Sequence, residues 1–162
     1  MNFNVIFPMA GEGSRFNYKF KPFLQLSDET FIEMAFNHFR HYSNLITKTY
    51  FIVTKEQYIN NNIEERLADM FENYKVIVLD KKTNSQYETI KKGILQENII
   101  GPSFICDCDH SIDISPMINY LKKENIDTNT ILVPTWNIEN ENKRAWGKIY
   151  LDNDNNVVNI CE

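Results

Sequence analysis

Two patterns of apolar and polar positions alternate along the chain. Short apolar runs, the pattern of buried strands, recur between longer segments whose apolar residues lie three or four positions apart, the pattern of amphipathic helices. Strands are predicted at 2–9, 49–54, 75–79, 102–106 and 130–136, and helices at 30–42, 56–74, 86–97 and 114–123. Strands interleaved with helices predict an α/β fold around a mainly parallel sheet.

Two further apolar runs near the end of the sequence predict a β-hairpin. Segments 148–151 and 157–160 flank the polar stretch DNDNN at 152–156. Asp and Asn tolerate the backbone conformations of tight turns, so this stretch is typical of a hairpin connection. We find no internal repeat and no linker-like segment, and we therefore expect a single domain over 1–162.

Composition and charge narrow the classes of protein. Hydrophobic residues make up 43% of the 162 residues and charged residues 24%, which is ordinary for a globular domain with a buried core. The net charge of -5 argues against a general nucleic-acid-binding protein. No apolar run approaches the roughly 20 residues that span a bilayer, and the N-terminus does not resemble a signal peptide. We expect a cytoplasmic protein without a nucleic-acid or membrane partner. The sequence leaves open whether the chain forms a homo-oligomer.

The loop after the first predicted strand has the strongest chemical signal. Segment 7–16 reads FPMAGEGSRF, and a Lys-Pro pair follows at 21–22. Gly11 and Gly13 let the backbone approach a ligand and present its N–H groups at the end of a strand, where α/β sheets bind ligands. A hydroxyl and two cations belong to the same region: Ser14, Arg15 and Lys21. This combination suits a polyphosphate.

Two familiar phosphate-binding motifs do not fit this loop. The Rossmann fingerprint needs a glycine at Phe16, and no acidic residue ends the second predicted strand to hold a ribose. The Walker P-loop needs Lys and Ser or Thr directly after its last glycine, and this pair is absent. On spacing alone, an ordinary tight turn with exposed cations is an equal alternative.

Segment 9–16 with the Lys-Pro pair at 21–22 resembles the signature of the sugar-phosphate nucleotidyltransferase superfamily. The resemblance implies a three-layer α/β/α, Rossmann-like (GT-A-like) fold. It implies transfer of NMP from a nucleoside triphosphate to a phosphorylated small molecule, such as a sugar 1-phosphate, with release of pyrophosphate. The resemblance also implies that Arg15 and Lys21 are the catalytic residues. The loop residues implied in nucleotide binding are Met9, Ala10, Gly11, Glu12, Gly13 and Ser14.

Segment 104–113, FICDCDHSID, resembles the strand of this family that ends in a metal-binding aspartate. Alignment of the residues after this strand with the family pattern places Asp109 at the position of that aspartate. The alternative register places Asp107 there. The implied cofactor is Mg²⁺, which prefers one or two carboxylates together with phosphate oxygens and water. Without the Gly loop at 11–13, the favoured interpretation of Asp107, Asp109 and Asp113 is that they are caps and turn formers before the next helix.

Segment 83–89, TNSQYET, falls where members of the family bind the nucleobase. Gln86 and Thr89 are the implied nucleotide-binding residues here. A plain helix-start residue is an equal alternative for Gln86. The choice among CTP, UTP, GTP and dTTP stays open.

Segment 146–162 resembles the part of the family that contains a strand, a polar turn and a strand ending in Glu. The resemblance therefore covers only the front part of a typical member, and we expect a C-terminally short relative. The Met-Ala-Gly form of the first loop favours a capsule-type enzyme of surface polysaccharide synthesis. Two other classes stay open: a glycosyltransferase that uses a nucleotide sugar and an Asp-x-Asp metal motif, and a non-catalytic nucleotide-binding remnant or partner subunit.

Overall fold

The computed structural model describes residues 2–124, 130–135 and 148–161. Contacts divide the chain into two compact units, Met1–Asn125 and Ile126–Glu162. The first unit contains a parallel sheet and its helices, and the second contains an antiparallel hairpin. The expected single domain over 1–162 remains a prediction.

The first unit is built on a four-stranded parallel sheet. The strands of the first unit, inside and outside this sheet, are β1 (Phe3–Pro8), β2 (Gln25–Leu26), β3 (Glu29–Thr30), β4 (Ile46–Thr54), β5 (Tyr74–Leu79) and β6 (Ser103–Ile105). Its helices are α1 (Phe31–Arg40), α2 (Lys55–Asn60), α3 (Ile63–Ala68), α4 (Gln86–Glu97) and α5 (Ser115–Lys123). The parallel sheet has the order β5-β4-β1-β6, and β2 and β3 form a separate short antiparallel pair. Since the order reverses between β1 and β6, a crevice opens at their carboxyl ends.

Helices cover both faces of this sheet. Alternate residues of β1 and β4 point to one face, where they pack with α1, α3 and α5 in an aromatic-rich core that includes Phe3, Val5, Phe7, Phe51 and Val53. The other face is smaller and packs against α4 through Ile6, Ile52, Ile77 and Leu79. Gly93 lets α4 approach closely, because a Cβ there would stand 2.4 Å from Ile52 Cδ1. The predicted three-layer α/β/α fold with a mainly parallel sheet is confirmed.

The predicted single helix over 56–74 is wrong. The chain forms two short helices, α2 and α3, and β5 already begins at Tyr74. Asn62 has a φ of 48°, and this left-handed residue interrupts the helical hydrogen-bond ladder between them. Ile63 and Leu67 are fully buried, whereas Ile59 is 62% exposed. The helical spacing of apolar residues therefore continues across the break between α2 and α3. The run of three asparagines at 60–62 is the only signal of this break in the sequence.

The predicted strand over 130–136 is wrong in its described part. Residues 130–135 form neither helix nor strand, and Trp136 lies outside the described residues. A strand needs a partner backbone for its N–H and C=O groups, and an apolar run alone does not supply one.

The C-terminal hairpin of the second unit is confirmed. Its strands β7 (Lys148–Leu151) and β8 (Val157–Cys161) pair antiparallel. The Asp152 carboxylate stabilises the turn, because its Oδ1 accepts the N–H groups of Asp154 at 2.9 Å and Asn156 at 2.8 Å. Among all the described helices, none is long and apolar enough to cross a membrane.

Candidate functional site

A cavity of about 380 Å³ lies at the carboxyl ends of β1, β5 and β6 in the first unit. Its walls come from three loops that are far apart in sequence, at 8–14 with 21–22, 82–86 and 107–109, and from the first turns of α4. The predicted site residues among its lining are Met9, Ala10, Gly11, Glu12, Gly13, Ser14, Lys21, Gln86, Thr89, Asp107 and Asp109. The fold therefore brings into one cavity three segments of the chain that only the resemblance had connected.

Arg15 is the remaining predicted site residue. Its backbone belongs to a short 3₁₀ turn, Ser14–Phe16, that directly follows the glycine loop. Its side chain lies outside the described part of the structure, so the catalytic role of Arg15 stays a prediction from the sequence.

The two glycines of the first loop meet different requirements. Gly13 has a φ of 63°, and a Cβ there would stand 2.4 Å from the carbonyl oxygen of Lys19. Its own carbonyl accepts the N–H groups of Phe16 at 2.8 Å and Tyr18 at 3.1 Å, which closes the turn. Apart from the neighbours of Gly11 in the chain, no described residue has an atom within 4 Å of a Cβ built at Gly11. The fold therefore requires glycine at position 13, whereas position 11 has open space beside its backbone.

Lys21 and Asp109 contact each other in the cavity. The Lys21 Nζ forms an ion pair with Asp109 Oδ2, and both side chains are 22% exposed. Lys21 starts a 3₁₀ turn whose Pro22 and Phe23 are buried, and its Nζ also lies 5.3 Å from the centre of the Phe16 ring. The predicted catalytic cation and the predicted metal-binding carboxylate thus lie side by side, although they come from different loops.

The two aspartates of the acidic turn have different partners. Asp107 Oδ1 accepts a hydrogen bond from Gln86 Nε2 at 2.5 Å, and its Oδ2 lies 3.1 Å from His110 Nδ1. The same His110 nitrogen lies 3.7 Å from Asp109 Oδ1. Asp107 is therefore held by an amide and an imidazole, whereas Asp109 faces the ammonium group of Lys21.

Asp113 lies just before α5 and outside the lining of the cavity. Its Oδ1 accepts the Ser115 N–H at 2.9 Å at the start of α5. This hydrogen bonding from Ser115 lowers the pKa of the Asp113 carboxyl. The turn-former interpretation of the acidic residues therefore describes Asp113, whereas Asp107 and Asp109 line the cavity.

The carboxylates offer a partial ligand set for Mg²⁺. Among the described residues, no three His, Cys, Asp or Glu side chains lie together as metal ligands. Asp107 and Asp109 both line the cavity from one turn. Mg²⁺ commonly takes only one or two protein carboxylates and completes its shell with phosphate oxygens and water. The residues present therefore fit Mg²⁺ bound together with a polyphosphate.

The third wall is the start of α4. Ser85 caps this helix, because its Oγ accepts the Glu88 N–H at 3.1 Å. The hydroxyls of Thr83 and Thr89 are buried and hydrogen-bonded to each other at 2.5 Å. Gln86 is the first residue of α4, lines the cavity and contacts Asp107. Gln86 is therefore both a helix-start residue and a residue of the cavity lining.

Two residues of this region were missed in the sequence. Lys82 lines the cavity and forms an ion pair with Glu12 of the glycine loop. Its position directly after β5, at the same sheet edge, was the available signal. Gln57 donates its Nε2 to the Gly11 carbonyl at 2.8 Å. No local signal connects Gln57 to the loop, since the contact depends on how α2 packs.

Two solved structures share this architecture. The nucleoside-diphosphate-sugar pyrophosphorylase from Vibrio cholerae RC9 matches 70% of this chain and 52% of its own, with 22% identity and a TM-score of 0.54. The 4-diphosphocytidyl-2C-methyl-D-erythritol synthase from Anaerococcus prevotii DSM 20548 matches 97% of this chain and 63% of its own, with 13% identity and a TM-score of 0.52. The chain has their fold. It spans less than two thirds of the length of either protein.

Comparison of sequences gives no further relative. No protein-family model matches the chain, and no curated protein matches it. The structural likeness therefore establishes the α/β fold, while the activity has to be argued from the cavity.

Proposed function

We propose that this chain is a nucleotidyltransferase, which transfers NMP from a nucleoside triphosphate to a phosphorylated small molecule and releases pyrophosphate. The observation that carries the proposal is the Lys21–Asp109 contact in a cavity bounded by the Gly11–Gly13 loop. It combines a cation, a carboxylate and a backbone with open space for phosphates at the switch point of the sheet. The fold shared with the two enzymes above supports the same class of reaction.

The proposed reaction is an in-line displacement at the α-phosphorus. An oxygen of the acceptor phosphate forms a bond to the α-phosphorus while the bond to the bridging oxygen of the departing pyrophosphate breaks. Lys21 would neutralise the charge that develops on the α-phosphate, and Arg15 the charge on the leaving pyrophosphate. The protein then acts by positioning and charge stabilisation, without a covalent intermediate.

Mg²⁺ is the proposed cofactor. Asp109 would hold it, with Asp107 as the alternative or second ligand, because both carboxylates line the cavity beside Lys21. The bound ion would supply charge neutralisation to the phosphates.

The proposed substrates rest on the sequence resemblance and on the residues that line the cavity. Met9, Ala10, Glu12 and Ser14 belong to the proposed triphosphate wall, and Gln86 and Thr89 to the wall proposed for the nucleobase. The acceptor is proposed to be a sugar 1-phosphate or a similar phosphorylated small molecule. The Met-Ala-Gly form of the loop extends this proposal to precursors of surface polysaccharides.

Pyrophosphate release tests the proposal. The purified chain is incubated with Mg²⁺, each of five nucleoside triphosphates, and a panel of sugar 1-phosphates and phosphocholine. We expect one triphosphate and one acceptor to give pyrophosphate and nucleotidylated product in equal amounts. Lys75→Ala is a matched control, because Lys75 is ion-paired with Glu97 away from the cavity. Triphosphate binding without pyrophosphate from any acceptor would contradict the proposal and point to a non-catalytic nucleotide-binding protein.

A further inference from the structure

Two helices of the first unit start with the same motif and differ in one side chain. Thr30 caps α1 and Thr54 caps α2, and in both cases a capping box joins the threonine to the residue three positions later. In α1 that residue is Glu33, whose Oε2 accepts the Thr30 N–H at 2.8 Å. In α2 it is Gln57, whose Oε1 accepts the Thr54 N–H at 2.9 Å. Either side chain satisfies a capping box, so capping alone does not explain the difference.

The amide of Gln57 supplies a hydrogen bond that a carboxylate cannot. A carboxylate is the better residue near a helix N-terminus, where the helix dipole favours negative charge. Gln57 gives up this stabilisation, and its Nε2 donates to the Gly11 carbonyl at 2.8 Å. Its Oε1 already accepts from both the Thr54 N–H and the Thr54 hydroxyl, at 2.9 and 3.1 Å. The NH₂ group must therefore face Gly11, because the oxygen is fixed on the other side.

This hydrogen bond orients the peptide between Gly11 and Glu12. The C=O and N–H of a trans peptide point in opposite directions. A Gly11 carbonyl held toward α2 therefore turns the Glu12 N–H away from α2. Apart from the neighbours of Gly11 in the chain, no described residue has an atom within 4 Å of a Cβ built at Gly11, so close packing on that side does not fix the peptide. Gly11 and Glu12 both line the cavity, whereas Gln57 is outside its lining.

We propose that Gln57 is a positioning residue of the phosphate-binding loop: it holds the Gly11–Glu12 peptide with its N–H available to the triphosphate. The inference rests on the proposed function and adds to it a residue that touches no substrate. Loss of one oriented hydrogen-bond donor is expected to weaken triphosphate binding about tenfold.

The variant that separates the two roles of Gln57 is Gln57→Glu. It keeps an acceptor for the capping box and adds charge that the helix dipole favours, but it places a carboxylate oxygen against the Gly11 carbonyl. Glu33→Gln is the matched control, since it makes the reverse exchange in the capping box of α1. Melting temperatures of both variants show whether the fold is intact.

In calorimetric titrations with the triphosphate that the wild-type chain binds best, we expect Gln57→Glu to bind about tenfold more weakly. In the pyrophosphate assay its KM for the triphosphate rises by a similar factor and kcat changes little, since bound substrate and transition state use the loop alike. Glu33→Gln keeps the wild-type affinity. If Gln57→Glu does not fold, Gln57→Ala is compared with Thr54→Ala, because both break the capping box and only the first removes the bond to Gly11.

Unchanged affinity in Gln57→Glu, or equal affinities in Gln57→Ala and Thr54→Ala, would overturn the positioning role while the wild-type chain still binds. A wild-type chain that binds none of the triphosphates would instead overturn the proposed function, and the positioning role with it.

Discussion

The same strands contribute to two regions of opposite polarity. One is the apolar, aromatic core beneath α1 and α3, and the other is the polar cavity at the strand ends. In the core, Phe7 and Phe51 are fully buried and their rings stack at 5.6 Å. In the cavity, Lys21 and Asp109 keep part of their surface exposed and hold each other as an ion pair. Strand β1 supplies side chains to the first region, and the loop after it supplies backbone to the second. We therefore expect the residues that stabilise the fold and the residues proposed to bind the ligand to be separable parts of one sheet.

The largest expected effect is on the core. Phe51→Ala removes a ring that also packs on Phe71 at 4.8 Å between centroids, and it should lower the free energy of unfolding by about 3–5 kcal/mol. Urea denaturation measures this change. A loss below about 1 kcal/mol would show that the aromatic core is not the main support of the sheet.

The next largest effect is in the cavity. Lys21→Ala, Asp109→Ala and Arg15→Ala should each lower the rate of pyrophosphate release about 10²–10³-fold, because each removes a charge that the transition state uses. The free energy of unfolding should stay within about 1 kcal/mol of the wild-type value for these polar positions. Lys75→Ala is the control. An unchanged rate in one of the three variants would remove that residue from the proposed mechanism.

The two glycines of the first loop are expected to respond differently to substitution by alanine. Gly13→Ala should lower the free energy of unfolding by about 1–3 kcal/mol, because alanine must adopt a left-handed conformation against the Lys19 carbonyl. Gly11→Ala should leave stability within about 0.5 kcal/mol and weaken triphosphate binding about tenfold, since the new methyl group occupies space open to phosphates. Denaturation and titration of both variants decide this. Equal losses of stability would erase the distinction.

The smallest expected effect concerns the thiols at the border of the two regions. Burial raises the pKa of Cys106 and Cys108 to about 12, and the neighbouring carboxylates of Asp107 and Asp109 add to the shift. A raised pKa keeps both thiols protonated at neutral pH, so the reactive thiolate forms only as the pH approaches 12. In a Cys161→Ser variant, iodoacetamide should label them slowly at pH 8 in the folded state and rapidly in urea. Fast labelling of the folded protein would contradict their burial.

The sequence was informative where structure depends on local pattern. The apolar runs within 2–9 and 49–54 predicted two strands, which share a core in the structure. The glycines at 11 and 13, with Lys21 nearby, predicted a ligand-binding loop, and this loop lines the cavity. These features depend on residues close together in the chain. The match of Asp109 to a family motif placed it at the sheet edge where Lys21 lies.

The features that were missed depend on tertiary contacts. The contact of Gln57 with Gly11 joins residues 57 and 11 through the packing of α2 against the first loop. The break at Asn62 interrupts an apolar spacing that continues on both sides. The apolar run at 130–135 has the composition of a strand, but strand formation is decided by a partner backbone.

Titration calorimetry of the purified chain is the most direct test of triphosphate binding in the cavity. CTP, UTP, GTP, dTTP and ATP are each titrated with and without Mg²⁺ into the wild-type chain, Lys21→Ala and Lys75→Ala. We predict Mg²⁺-dependent binding of one triphosphate to the wild-type chain and to Lys75→Ala, and binding at least about tenfold weaker to Lys21→Ala. Absence of binding to any triphosphate, or equal binding to Lys21→Ala, would contradict this prediction.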